Sequence, residues 1–182
     1  MEKDEEMEMA DAEQELENLS NEDLVLMCSD AFDNIRTEEN PEELCNEIET
    51  LFIPQLRQRL NLREVKQNIE LFISMQKNLG KCFTFLQNFT TAIVCWEELL
   101  QFLHSLPKHS DKFSSQQNKL DCEISGVYVN IGSLHQLNGD HTSSISSYQK
   151  AMDILMPWIV EAGDVSPVPN LLSVNIHFYL LV

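Results

Sequence analysis

Five histidines, five cysteines and thirty carboxylates are the side chains of this 182-residue chain with the most to offer chemistry. Their spacing does not assemble a reaction centre. His104, His109, His135, His141 and His177 are scattered, and no His-Glu-x-x-His run puts two imidazoles on one helix face. His104 and His109 stand on either side of Pro107 and cannot share a helix face. His135 and His141 flank an Asn-Gly-Asp turn, near enough to approach one ion but more simply read as imidazoles facing water. Cys28, Cys45, Cys82, Cys95 and Cys122 form no Cys-x-x-Cys pair, so zinc-ligand and dithiol-redox spacings are missing. There is no Gly-rich phosphate loop and no nucleophile elbow. The expectation is a protein with no catalytic, cofactor-binding or metal site.

What the residues predict instead is a scaffold. Hydrophobic residues make up 43% of the chain, enough for a core, and five glycines with six prolines argue against a loop-built β fold. The net charge of −18 is concentrated at one end. Residues 1–50 carry 19 acidic and 2 basic side chains, whereas residues 51–182 carry 11 and 10. Arg57, Arg59, Arg63, Lys66, Lys77 and Lys81 hold half of the chain's basic charge. That patch is too small for a duplex, and the acidic front repels phosphates, so nucleic acid is not an expected partner. The patch reads as a solvated helix face or as a contact for an acidic segment, either a partner's or the chain's own residues 1–19. In the second case the front is a pseudo-ligand. The acidic N-terminus lacks the apolar run of a leader, and no stretch is long enough for a bilayer. With the unpaired thiols this points to the cytosol or the nucleus, where the Asn-x-Ser/Thr matches at Asn18 and Asn88 have no meaning.

The elements follow from caps and periodicity. Residues 1–19 hold nine acids and read as a disordered tail. Residues 20–60 read as N-terminal helices. Ser20 begins one, with Asp23 three residues on and Leu24, Leu26, Met27, Phe32 and Ile35 as its apolar positions. Pro41-Glu42-Glu43 starts another, which Pro54 should break or kink. Asn61-Leu62-Arg63-Glu64 should open one long helix to about Leu86. Its partner starts at Thr90 or Thr91 and ends near Pro107. A polar loop over 108–115 separates that pair (61–107) from a second (114–157), with helices over about 116–138 and 142–156. Residues 158–182 read as a loop and one apolar helix.

Within the second pair, Tyr128-x-x-Ile131-Gly132 leads through the Asn-Gly-Asp turn to Ser144-x-x-x-Tyr148-x-x-Ala151. Fifty-two residues earlier stand Leu79-Gly80-x-x-Phe83, a Gln-Asn turn and Ala92-x-x-x-Trp96. The pattern resembles the tetratricopeptide (TPR) repeat, in which an antiparallel helix pair meets at small residues. The interval exceeds the basic repeat of about 34 residues, and is similar to the extended repeats of kinesin light chains and of TPR regulators of heterotrimeric G proteins. Gln76 stands where an aromatic is usual. Residues 166–182 are similar to the first half of a third repeat, since Val174-Asn175-Ile176 matches Val129-Asn130-Ile131.

The resemblance implies an all-α fold, a right-handed stack of helix pairs (an α-solenoid) behind an acidic tail. Leu79, Gly80, Phe83, Ala92, Trp96, Tyr128, Ile131, Gly132, Ser144, Tyr148 and Ala151 are its architectural residues. It further implies a non-catalytic adaptor whose concave face holds a peptide or helix of another protein, with Asn78, Lys81, Asn130, Ser133 and Gln136 as candidate groove contacts. The chaperone-tail clamp of some TPR domains needs cations one turn before the asparagines, and here Ser74 and Gly126 stand there. The alternatives are a structural helical subunit of a larger assembly and a shortened form of a longer TPR protein, self-associating through its last apolar segment.

Overall fold

The computed structural model describes residues 12, 14–34, 41–107 and 115–161. Among them all regular structure is helical. After a helical turn over residues 14–18 come α1 (Asn21–Asn34), α2 (Pro41–Glu47), a π-helical segment (Ile48–Phe52), α3 (Ile53–Leu60) and α4 (Arg63–Gln67). These lead to α5 (Ile69–Phe85), α6 (Phe89–Ser105), α7 (Ser115–Leu137) and α8 (His141–Glu161). No helix among the described residues is long and apolar enough to cross a membrane. The chain forms two compact units, Met1–Cys95 and Trp96–Val182, divided inside α6. The loop expected over 108–115 and the third-repeat helix fall, but for Ser115, outside the described residues.

Helix starts follow the side-chain chemistry. Ser20 Oγ accepts from the Asp23 amide at 3.1 Å, an N-cap, and donates to the Asp23 carboxylate at 2.7 Å. Pro41 is the first residue of α2, where its missing amide proton costs nothing. Pro54 does not end its helix. The preceding turn widens into a π segment, with the Ile53 amide donating to the Ile48 carbonyl, and the chain stays helical into α3. The wider turn takes up the carbonyl a proline ring would otherwise strike.

The long helix expected from Asn61 to Leu86 is in fact two. Asn61 turns its amide back to the Arg57 carbonyl at 3.0 Å, and Leu62 sits extended before α4. Asn68 then leaves the helical region and caps α5, its Oδ1 accepting from the Leu71 amide at 3.2 Å. Asparagine competes well here because its side chain replaces a backbone partner. Pro157, expected to end the last helix, lies inside α8. The next residue, Trp158, donates from Nε1 to Asp121 Oδ2 at 2.9 Å, tying the stretch after the proline to α7.

In unit 1, α5 packs against α1 and α3. Leu24, Cys28 and Phe32 recur every fourth residue and are buried, whereas Leu26 and Met27 are left 61% and 43% exposed. Ile48, Phe52, Leu56 and Leu60, and Met75, Leu79 and Cys82 on α5, are buried as well. In unit 2, α7 and α8 are the packed pair, with Ile124, Val127, Ile131, Leu134 and Ala151 buried.

Candidate functional site

The first site-forming feature is a turn made twice. After α5, Gln87 takes φ +57°, the Asn88 amide reaches back to the Phe83 carbonyl at 2.9 Å, and the Gln87 amide to that of Thr84 at 3.0 Å. After α7, Gly139 takes φ +80°, the Asp140 amide reaches the His135 carbonyl at 2.8 Å, and the Gly139 amide that of Gln136 at 3.1 Å. Each is a Schellman ending. Each cap then opens the next helix, Asn88 Oδ1 accepting from Thr91 at 3.2 Å and Asp140 Oδ1 from Ser143 at 3.0 Å. Each of these hydrogen bonds of the first turn has its counterpart 52 residues on. The second helix of the first pair therefore starts at Phe89 behind Asn88, not at Thr90 or Thr91.

The architectural residues are mostly interior. Leu79, Gly80, Phe83, Ala92, Trp96, Ile131, Gly132, Ser144 and Ala151 are buried, and Tyr128 and Tyr148 half-buried. A Cβ on Gly132 would lie 2.9 Å from Tyr148 Cε1, so α7 and α8 approach as closely as they do only because this residue has none. Tyr128 lies beneath Lys150, whose Nζ is 5.6 Å from the ring centroid, and beside His104, with its hydroxyl 3.5 Å from Nε2. Gln76, the departure from the aromatic pattern, is buried and donates to the Cys95 carbonyl at 3.1 Å.

The five groove candidates do not behave as a set. Asn78 is 3% exposed and its Nδ2 donates to the Val25 carbonyl of α1 at 3.2 Å, so it is a strut inside unit 1. Lys81 is exposed, with Nζ 5.7 Å from the Phe32 ring centroid. In unit 2, Ser133 is buried and donates to the Val129 carbonyl at 3.0 Å, which leaves its oxygen to accept from the Tyr148 hydroxyl at 2.5 Å. Gln136 Oε1 lies 3.4 Å from the same hydroxyl, and Asn130 is half-buried. His135 Nδ1 is 3.7 Å from the Asp140 carboxylate across the turn. Hydrogen bonds from Ser143, then the nearby His135, hold the Asp140 carboxyl below its ordinary range.

The basic patch also divides. Arg57, Arg63 and Lys66 are exposed, with Arg57 lying 5.1 Å from the Phe83 ring centroid. Arg59 is 7% exposed. Its Nη1 donates to the Leu19 carbonyl at 2.8 Å and to Asn21 Oδ1 at 3.3 Å, and its Nη2 to the carbonyls of Leu16 and Glu17. The solvated-face reading fails for Arg59 alone, which instead contacts the chain's own acidic front, through backbone carbonyls rather than carboxylates. The guanidinium takes backbone carbonyls at the end of a helical turn, where unpaired acceptors and the negative dipole end coincide. Residues 14–19 consequently belong to the folded unit, with Leu16 buried, and the tail assigned to residues 1–19 loses its last part.

A groove that sequence reasoning missed lies between α1 and α5. It has a volume of about 390 Å³ and is lined by Glu22, Val25, Leu26 and Ser29 from α1 and by Asn68, Glu70, Leu71 and Ser74 from α5. Its apolar lining is Val25, Leu26 and Leu71, and Glu22 and Glu70 add carboxylates. The only sequence signal was an excess of apolar width on α1, where Leu26 and Met27 stand beside the Leu24–Cys28–Phe32 row. Among the described residues no cluster of three or more histidine, cysteine or carboxylate side chains has the geometry to hold a metal ion. Comparison with protein-family models, with curated proteins and with solved structures finds no match to this chain.

Proposed function

We propose that the chain is a non-catalytic helical-repeat adaptor of the TPR kind, which holds a peptide or helix of another protein on its helical surface. The observation that carries the reading is the repeated turn, reproduced hydrogen bond for hydrogen bond at an interval of 52 residues. Such repetition is what a stacked-pair scaffold needs, since each pair alone cannot bury its apolar faces. The contact face is the groove between α1 and α5. Exposed Leu26 and part-buried Val25 and Leu71 offer an anchor site, and Glu22 and Glu70 favour a ligand with apolar side chains flanked by lysine or arginine. That preference is opposite to the acidic ligand suggested by the basic stretch Arg57–Lys81.

The reading is tested by selecting helical peptides from a displayed library against the full chain. Binders are then measured by fluorescence polarisation on the wild type and on Leu26→Asp and Glu22→Lys. Selected peptides should be basic and apolar, should lose roughly tenfold or more in affinity on either substitution, and should weaken with salt as rim charge pairs do. Peptides that bind both variants as well as the wild type would sink the groove assignment.

A further inference from the structure

The outward face of α8 carries a second apolar surface, distinct from the groove above. Ile145, Met152, Met156, Ile159 and Val160 are 69%, 56%, 45%, 48% and 72% exposed. They recur at i, i+7, i+11, i+14 and i+15, which places all five along one side of the helix. Ser144, Ser147 and Ala151, on the side toward α7, are buried. A row of five large apolar side chains is more than scattered surface residues produce, and fully covering each is worth about 1.5–3 kcal/mol.

We propose that this stripe is the seat of residues 171–182 of the same chain, which lie down along α8 in the antiparallel sense. The segment Leu171-Leu172-Ser173-Val174-Asn175-Ile176-His177-Phe178-Tyr179-Leu180-Leu181-Val182 has nine apolar residues and no Lys, Arg, Asp or Glu. Leu172, Ile176, Tyr179 and Leu180 recur at i, i+4, i+7 and i+8, a face of the same kind as the stripe. The lengths agree. Ile145 to Val160 spans about 22 Å of helix, and twelve helical residues span about 18 Å. Residues 162–170 connect the two. Nine residues reach up to about 30 Å, ample to reverse the chain across a helix–helix spacing of about 8–10 Å. Gly163, Pro167 and Pro169 in that connection favour a reversal over a continued helix. The stripe has no charged member, so electrostatics selects no foreign partner in preference to this neutral, tethered segment.

The test is methionine oxidation of the full chain by hydrogen peroxide, read by peptide mass mapping where light scattering gives the single-chain mass of 21.0 kDa. Met152 and Met156 are at least as exposed on α8 as Met27 is on α1. With the segment seated, they should oxidise about 5-fold or more slowly than Met27, because oxidation follows exposure. Ile176→Asp in the full chain should bring both up to the Met27 rate while buried Met75 stays protected. Equal rates for Met27, Met152 and Met156 in the wild-type monomer overturn the proposal. So does protection that appears only as concentration rises, which marks a second copy as occupant, or protection that survives Ile176→Asp. Should that variant lose protection at Met75 as well, the wild-type rates alone decide.

Discussion

Replacing Gly132 by alanine adds one methyl group at the narrowest point between α7 and α8. Its Cβ would stand 2.9, 3.0 and 3.2 Å from Cε1, Cδ1 and Cζ of Tyr148, where carbon atoms rest at about 3.5–4.0 Å. The ring must retreat by about half an ångström or more. It is not free to do so, because its hydroxyl lies 2.5 Å from Ser133 Oγ and Ser133 is itself held to the Val129 carbonyl. In an open helix the same change would stabilise by about 1 kcal/mol. Overpacking costs about 1–3 kcal/mol and a strained hydrogen bond about 1 kcal/mol more. The expected net effect is a loss of about 1–3 kcal/mol, or roughly 2–12 °C in Tm for a chain of this length. The assay is thermal and urea unfolding followed by circular dichroism, on the wild type and on Tyr148→Ala. With the ring gone, the methyl group should become stabilising by about 1 kcal/mol, so the two changes must be strongly non-additive. If Gly132→Ala stabilises the wild type by the full helix-propensity gain, the close crossing is not what holds this pair.

Three further outcomes are expected. Arg59→Leu should leave the carbonyls of Glu17 and Leu19 without this donor and that of Leu16 with only the Leu19 amide, at about 1.5–3 kcal/mol for a charged hydrogen bond. Cleavage after Glu15 and Glu17 by a glutamate-specific protease should accelerate, and an unchanged cleavage map would refute the strut. Burial pushes the Cys28 thiol up to about 12 and raises Cys82 too, so at pH 8 iodoacetamide should reach part-exposed Cys45 and Cys122 first. Mass spectrometry showing Cys28 or Cys82 modified as fast as Cys45 in the folded chain would contradict the packing. The Asp140 carboxyl titrates below its ordinary range when folded, so its ionised form stabilises above about pH 4 and that contribution is lost as pH falls through the lowered value. The Tm gap between wild type and Asp140→Asn should therefore shrink from pH 7 to pH 3, and a gap constant across that range would count against the carboxylate's role.

Features set within one or two turns of chain were legible in the residues themselves. The Ser20 cap, Pro41 at a helix start and the glycine turn at Gly139 each depend on groups a few residues apart, so composition and spacing decide them. The 52-residue repetition was visible for the same reason, though not its caps, since the helix behind Asn88 was expected to start only at Thr90 or Thr91. Even here the helix start read at Asn61 was misplaced, since that side chain turns back to the Arg57 carbonyl and Asn68 is the residue that caps α5. The rest depended on contacts between residues far apart in sequence. Arg59 finds acceptors around 40 positions away, Asn78 finds Val25 at 53, and Trp158 finds Asp121 at 37. Side chains that read as ligand contacts became struts once a backbone carbonyl of another segment was brought beside them. The α1–α5 groove arose where two amphipathic helices, each wider in its apolar face than the other can cover, were laid together. Sequence fixes which groups need a partner, and tertiary packing alone decides which partner is near, because a buried donor or acceptor is satisfied by proximity rather than by position in the chain.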